Sequence, residues 1–181
     1  EGVVRLAMRQ ARCVHCVEAH GTGTALGDPI EVGALQRVLA SSAAEAEPVA
    51  LGAFKSQIAH AEGAAAIAGL VKTIRVLEHS HMTANLHLHK TNPKLELSEF
   101  AVTMPSHCTK LAVSGGVTRM GVSSFGYSGT NSHAVLGLDT AELSKTMRPQ
   151  PARSQPAVRY SRSAFGWWSG TTLGMATGLP L

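Results

Sequence analysis

Aromatic residues are scarce in this sequence, with two tryptophans, two tyrosines and four phenylalanines in 181 residues. A core must therefore come from the rest of the 44% apolar complement, which at this length suffices for about one domain. Charge is also sparse, at 15% of residues, and the composition is that of a globular, soluble chain. No apolar run approaches the ~20 residues a membrane span requires, and no basic-then-apolar leader is present, so neither a transmembrane helix nor a signal peptide is expected. The chain opens on Glu1 rather than methionine and is read as a fragment of a longer protein. Three cysteines are too few, and odd in number, for a disulfide framework, which points to a reducing, cytoplasmic setting.

The net charge of +4 raises the question of nucleic-acid binding until its distribution is examined. Five basic residues and no acid follow Glu142, leaving 11 basic against 12 acidic residues in 1–142. The body is near neutral. From Ser144 onward Pro, Ser, Arg and Gly dominate, so residues 144–181 are expected to form a disordered basic tail or linker behind a domain spanning 1–143.

Along the body, Cys16-Val-Glu-Ala19 reads as a short strand entering the glycine- and threonine-rich loop His20-Gly-Thr-Gly-Thr24. A helix follows, with Asp28 as cap, Pro29 in the first helical position, Glu31 completing a capping box, and Ile30, Ala34, Leu35, Val38 and Leu39 as its apolar stripe. After a linker from Ser41 to Pro48, Val49–Phe54 has the continuous apolarity of a doubly buried strand, with Lys55–Glu62 as its exit loop. Ile67, Leu70, Val71, Ile74 and Leu77 then define a helix from Gly63 to about Glu78, with Lys72, Arg75 and Glu78 facing outward. Two strand–loop–helix units in succession imply parallel strands and an α/β fold. Nothing regular is assigned to 79–118 beyond a turn at Asn92-Pro93 and short strands near 100–104. Gly121–Gly126 and Asn131–Leu138 read as an antiparallel pair joined by Tyr127–Thr130.

Two strand-exit loops thus each place a histidine among small residues, and a glycine-rich turn follows, which is where open α/β sheets build sites. The stretches VEAHGTGTALGDPIEVGAL, GAFKSQIAHAEGAAAIAG and GVSSFGYSGTNSHAVL resemble, in order and spacing, three signature blocks of the ketosynthase domain of modular polyketide synthases. The resemblance covers roughly residues 14–138. It implies a thiolase-like fold, a duplicated α/β unit of which this chain holds mainly the second half. The cysteine nucleophile of the family lies in the first half, and no such block is present here; Cys13, Cys16 and Cys108 stand on no helix-opening turn and are read as structural.

The chemistry the resemblance implies is decarboxylative condensation of malonyl-type and acyl thioesters. His20 and His60 match the two histidines that stabilise the developing enolate oxygen, an effect worth ~3–4 kcal/mol per well-placed donor. Lys55 matches the lysine that orients and polarises the second histidine, with Glu31, or failing it Asp28, as the carboxylate keeping it charged. Thr22 and Thr24 match hydroxyls that bind the phosphopantetheine arm. The turn at Phe125, Gly126 and Tyr127 matches the loop whose main-chain N–H contributes to an oxyanion hole, Tyr127 replacing a common phenylalanine gate. Ala59 stands where the family has glycine, which strains the backbone if that position requires positive φ.

The same resemblance implies no directly bound cofactor, substrates carried on the phosphopantetheine of an acyl carrier protein, and a homodimer when complete. It also implies as partners the missing N-terminal half and further synthase domains. The alternative is a non-catalytic ketosynthase remnant or scaffold that lacks the nucleophile. His79-Ser-His81, His87-Leu-His89 and Cys13-Val-His-Cys16 have metal-like spacing but lack a second close pair, so no metal site is expected. His133 is read as support for its strand, and the tail with Trp167 and Trp168 as a solvated linker rather than a nucleic-acid or membrane contact.

Overall fold

Cys16 and Glu18 point to one face of a strand and Val17 to the other, and all three are buried, so this strand must be covered on both sides. It is β1 (Cys16–Glu18), the centre of a five-stranded sheet in a computed structural model that describes residues 2–8, 14–39, 48–98, 100–111 and 116–139. Around it lie α1 (Gly2–Met8), α2 (Gly27–Leu39), β2 (Val49–Gly52), α3 (Lys55–Ile58) and, after a 3₁₀ turn at Glu62–Ala64, α4 (Ala65–His79). The remaining strands are β3 (His81–Met82), β4 (Val102–Thr103), β5 (Thr109–Lys110), β6 (Val117–Phe125) and β7 (Asn131–Asp139). The main sheet runs β4-β2-β1-β6-β7; β2 and β6 flank β1 in parallel, β4 is parallel to β2, and β7 returns antiparallel to β6. β3 and β5 form a separate antiparallel pair.

Each face of the sheet has its own apolar cluster. Val17, Leu51 and Phe100 pack with Val4 of α1 and with Val32, Leu35 and Leu39 of α2. Cys16, Ala50 and Met120 pack with Val76 and Leu77 of α4, beside Met82 and Leu111. The layering is α/β/α with parallel central strands, as the paired strand–loop–helix units require.

Three expectations are corrected. Thr24 Oγ1, rather than Asp28, accepts the Gly27 N–H as α2 begins, while Asp28 Oδ1 accepts the N–H of Gly23. Ile30 lies outside the buried stripe of α2 and is exposed, and Glu31 faces inward in its stead. On α4 the buried residues are Ala65, Gly69, Lys72, Thr73, Val76 and Leu77, so Lys72 is inside and Ile67, Val71 and Ile74 are exposed. The physical reason is that α4 is apolar on two faces, and a buried acid on β1 selects the face that carries Lys72.

Among the described residues no helix is long and apolar enough to cross a membrane. Residues Glu1–Arg148 form one compact unit. The expected boundary at 143–144, the tail beyond it, Cys13, and most of the Ser41–Pro48 linker lie outside the described residues.

Candidate active site

Glu31 reaches back from α2 to accept the N–H of His20 at 2.8 Å and of Gly21 at 2.9 Å, which turns the loop leaving β1 across the top of the sheet. Gly21 has φ of +50°, and a Cβ there would stand 2.7 Å from the Ala53 Cβ, so the two strand-exit loops touch at this glycine. Glu18 plays the matching part for the second loop, its Oε1 accepting the Phe54 N–H at 2.5 Å. Two carboxylates, one in front of each loop, thus fix the main chain at His20 and next to Lys55.

These anchors bring the two histidines together. The His20 and His60 rings have centroids 5.5 Å apart and lie nearly perpendicular, at 87°. Phe125, at the end of β6, brings its ring to 5.5 Å from His20 on another side. The Glu62 N–H donates to His60 Nδ1 at 3.1 Å, so that nitrogen carries the lone pair and the proton of the neutral ring resides on Nε2. Ala59, immediately before, has φ 62° and ψ −174°, a region essentially reserved for glycine, so the anticipated strain is present.

Burial, helped by the positive charge of Lys55 and by His60, holds the His20 imidazole down at about 4, so it is neutral at pH 7. Lys55 is lowered from its ordinary value by its own burial, and Glu18, ahead of Glu31 and Asp28, opposes that shift. The carboxylate nearest in effect to Lys55 is therefore Glu18, which no sequence motif singles out; Glu31 and Asp28 contribute behind it. Glu18 also pairs with Lys72 of α4 at 2.6 Å, both side chains buried, with the Lys72 ammonium 5.8 Å from the centre of the Phe54 ring. A Cβ at Gly52 would clash with Met82 and crowd this pair, which accounts for glycine there.

Thr22 and Thr24 lie on the rim, their hydroxyls 3.4 Å apart. The Gly126 N–H is taken up inside its turn by the Thr130 carbonyl at 2.6 Å, so it is not a donor for a substrate oxygen. Tyr127, in the place of the phenylalanine gate, is fully exposed. Cys16 is no nucleophile, since burial pushes its thiol up to about 12. Cys108 is exposed beside β5 in the smaller sheet. Among the described residues no cluster of His, Cys, Asp or Glu could hold a metal.

One further residue serves the site without having been foreseen. Asn85, in the connector after β3, donates to the carbonyls of Leu51 and Pro105 and accepts the Ala53 N–H, tying down the turn from β2 into α3, which begins at Lys55. Ser123 and His133, opposite each other on β6 and β7, are hydrogen-bonded at 2.9 Å. No spacing rule reveals Asn85. The cross-strand pair follows only once the hairpin register is known.

A sheet of parallel strands edged by antiparallel β7, with facing histidines beyond two adjacent strands, fits the class of thiolase-like α/β proteins, represented by its C-terminal half. Residues 1–89 match the family described as beta-ketoacyl synthase, C-terminal domain. The chain is 42% identical over 140 residues to the polyketide synthase GfsE of Streptomyces halstedii, covering 75% of this chain and 4% of that one. It is 39% identical over 168 residues to the spectinabilin polyketide synthase system protein NorB of Streptomyces orinoci, covering 88% and 8%. Among solved structures it resembles ketosynthase twelve of the bacillaene polyketide synthase of Bacillus amyloliquefaciens, with TM-score 0.69, 31% identity, and coverage of 75% and 25%. The chain belongs to the polyketide-type β-ketoacyl synthases, as a C-terminal part of the ketosynthase domain. It spans about a quarter of that solved ketosynthase chain and under a tenth of the two synthases.

Proposed function

We propose that this chain supplies the decarboxylation half of a β-ketoacyl synthase site, an acyltransferase of polyketide assembly. In that reaction the bond between the malonyl α-carbon and its carboxylate breaks, carbon dioxide leaves, and the electron pair enters an enolate whose charge rests on the thioester oxygen. The enolate carbon then attacks an acyl-cysteine carbonyl and the cysteine thiolate departs, the cysteine coming from the other half of the domain. His60 offers Nε2–H to the enolate oxygen, and His20, neutral and partly shielded, faces it from the neighbouring loop. Lys55 adds positive charge, and Thr22 and Thr24 line the entry of a phosphopantetheine arm. The observation that carries this reading is the perpendicular approach of two histidine rings from two adjacent strand exits.

Partners follow from the same reading. Substrates arrive on an acyl carrier protein, within a cytoplasmic synthase that dimerises when complete. The exposed apolar stripe of Ile67, Val71 and Ile74 on α4, with Ile58 beside the second loop, supports cover by the cysteine-bearing half.

The test uses the longest native polypeptide that carries this segment, assayed for carbon dioxide release from a malonyl thioester. His20→Ala and His60→Ala are each expected to lower kcat by ~10²-fold, the usual cost of one oxyanion donor. Full activity in both variants would sink the proposal.

A further inference from the structure

α3 is a single helical turn of four residues, none of them fully buried, so neither cooperative helix formation nor packing explains why it keeps one place. Glu18 takes the Phe54 N–H on its inner side. On the other side the turn is hydrogen-bonded to the connector at 83–86. Gln57 Nε2 donates to Thr83 Oγ1 at 3.1 Å and to the Ala84 carbonyl at 2.8 Å. The Ser56 hydroxyl donates to the Ala53 carbonyl at 2.8 Å and accepts the Leu86 N–H at 3.1 Å.

Asn85, between these contacts, supplies what a proline withholds. β2 and β4 pair in the register Val49 with Val102 and Ala50 with Thr103, and the Val49 N–H donates to the Ala101 carbonyl. In a parallel ladder of this register the next donor to the Leu51 carbonyl is the N–H of residue 105, and Pro105 has none. Asn85 Nδ2 donates to the Leu51 carbonyl at 3.0 Å in its place, and Asn85 Oδ1 accepts the Ala53 N–H at 2.8 Å. The Asn85 main-chain N–H and Nδ2 both turn to the Pro105 carbonyl, at 2.7 and 3.3 Å. The carboxamide thus stands in for a peptide unit beyond the end of β4, and carries the support of β2 up to the residue before Phe54.

We infer that Asn85 and Gln57 are positioning residues for the candidate site, forming with Ser56 a clasp between the connector at 83–86 and the α3 turn that fixes where Lys55 and His60 point. Lys55 opens the turn, and His60 follows directly on its last hydrogen bond, from the Ala59 N–H to the Lys55 carbonyl. The functional meaning rests on the condensing-site reading, while the clasp itself stands on geometry. Asn85 and Gln57 act through Lys55 and His60, so turnover, rather than substrate affinity, is what they govern.

The experiment compares three variants in the longest native polypeptide bearing this segment. Gln57→Met keeps the length of the side chain without its donor, Asn85→Ala removes the substitute for the peptide unit, and the third variant combines them. Hydrogen exchange, followed by mass spectrometry, should quicken about tenfold in peptides covering 53–62 in each single variant and stay at the wild-type rate in α4. The kcat for carbon dioxide release from a malonyl thioester should fall ~10-fold or more with KM unchanged, the scale of a slightly misplaced catalytic group. The double variant should lose no more than the worse single one, because a clasp already open cannot open twice. Unchanged exchange at 53–62 in Gln57→Met overturns the clasp, and that variant decides alone if Asn85→Ala does not fold. Exchange that quickens equally in α4 also overturns it, marking a general packing role, as do losses of kcat that add in the double variant. An inactive wild type would count against the condensing reading alone, because the exchange readout does not depend on turnover.

Discussion

Glu18 and Lys72 meet at 2.6 Å in the interior, one from the central strand and the other from the helix that covers it. The pair lies behind Phe54, whose N–H Glu18 also accepts, so an interior ion pair and the base of the Lys55 loop share one carboxylate. Removing one partner leaves an uncompensated buried charge. Glu18→Gln or Lys72→Met alone is expected to destabilise by about 3–5 kcal/mol, while the double replacement recovers much of that loss. Urea unfolding of the four proteins checks this; additive losses in the double variant would show the two residues to be independent.

How far this is legible in the sequence depends on the kind of interaction. Strand continuity at Val49–Gly52, the β6–β7 hairpin and the strand exit at His20 follow from apolar runs and glycine-rich breaks, which local chemistry writes directly, whereas the single helical turn Lys55–Ile58 falls where the sequence reads as the exit loop Lys55–Glu62. The positive φ at Ala59 is foreseeable because a departure from glycine is visible as a residue type. Lys72 is misplaced by periodicity, which assigns charge to water and cannot see a buried acid on a strand far earlier in the chain. Ile67, Val71 and Ile74 are misplaced for the converse reason, since an apolar residue left open on a helix surface is indistinguishable in sequence from one that meets the sheet. Glu18 and Asn85 act by long-range contacts to main-chain groups, which no spacing encodes.

Ala59 sits at φ 62° and ψ −174° beside His60. Such a conformation costs a side-chain-bearing residue ~1–3 kcal/mol, and glycine adopts it freely, at the expense of a more flexible unfolded chain. Ala59→Gly is therefore expected to raise the unfolding midpoint modestly, with the His60 orientation kept. A lower midpoint would mean that the loop relaxes around alanine without strain.

Acid should weaken this protein through its histidines. His20 and His133 are both held at about 4 in the folded state by burial, below the ordinary 6.5. The unfolded chain therefore binds more protons between those values, and stability is fully present above about 6.5 and declines as pH falls from there towards 4. Denaturant unfolding at pH 7, 6, 5 and 4.5 measures the slope. Replacing His133 with Asn should flatten it, and an unaltered slope in that variant would assign the acid sensitivity elsewhere.

The exposed stripe on α4 gives the last expectation. Ile67, Val71 and Ile74 recur at intervals of four and three and so share one face, which the sheet does not cover. An apolar stripe of this kind drives self-association when it is left open to water. Replacing Val71 with Lys interrupts the stripe at its middle without touching the buried face that carries Lys72 and Val76. In the chain alone, sedimentation should show less aggregation for Val71→Lys than for wild type. In the longest native polypeptide the same change should do the opposite, lowering the unfolding midpoint, because a charge would then be driven into a covered interface. If the substitution were harmless in both settings, α4 would face solvent in the native protein and the cover proposed for it would be absent.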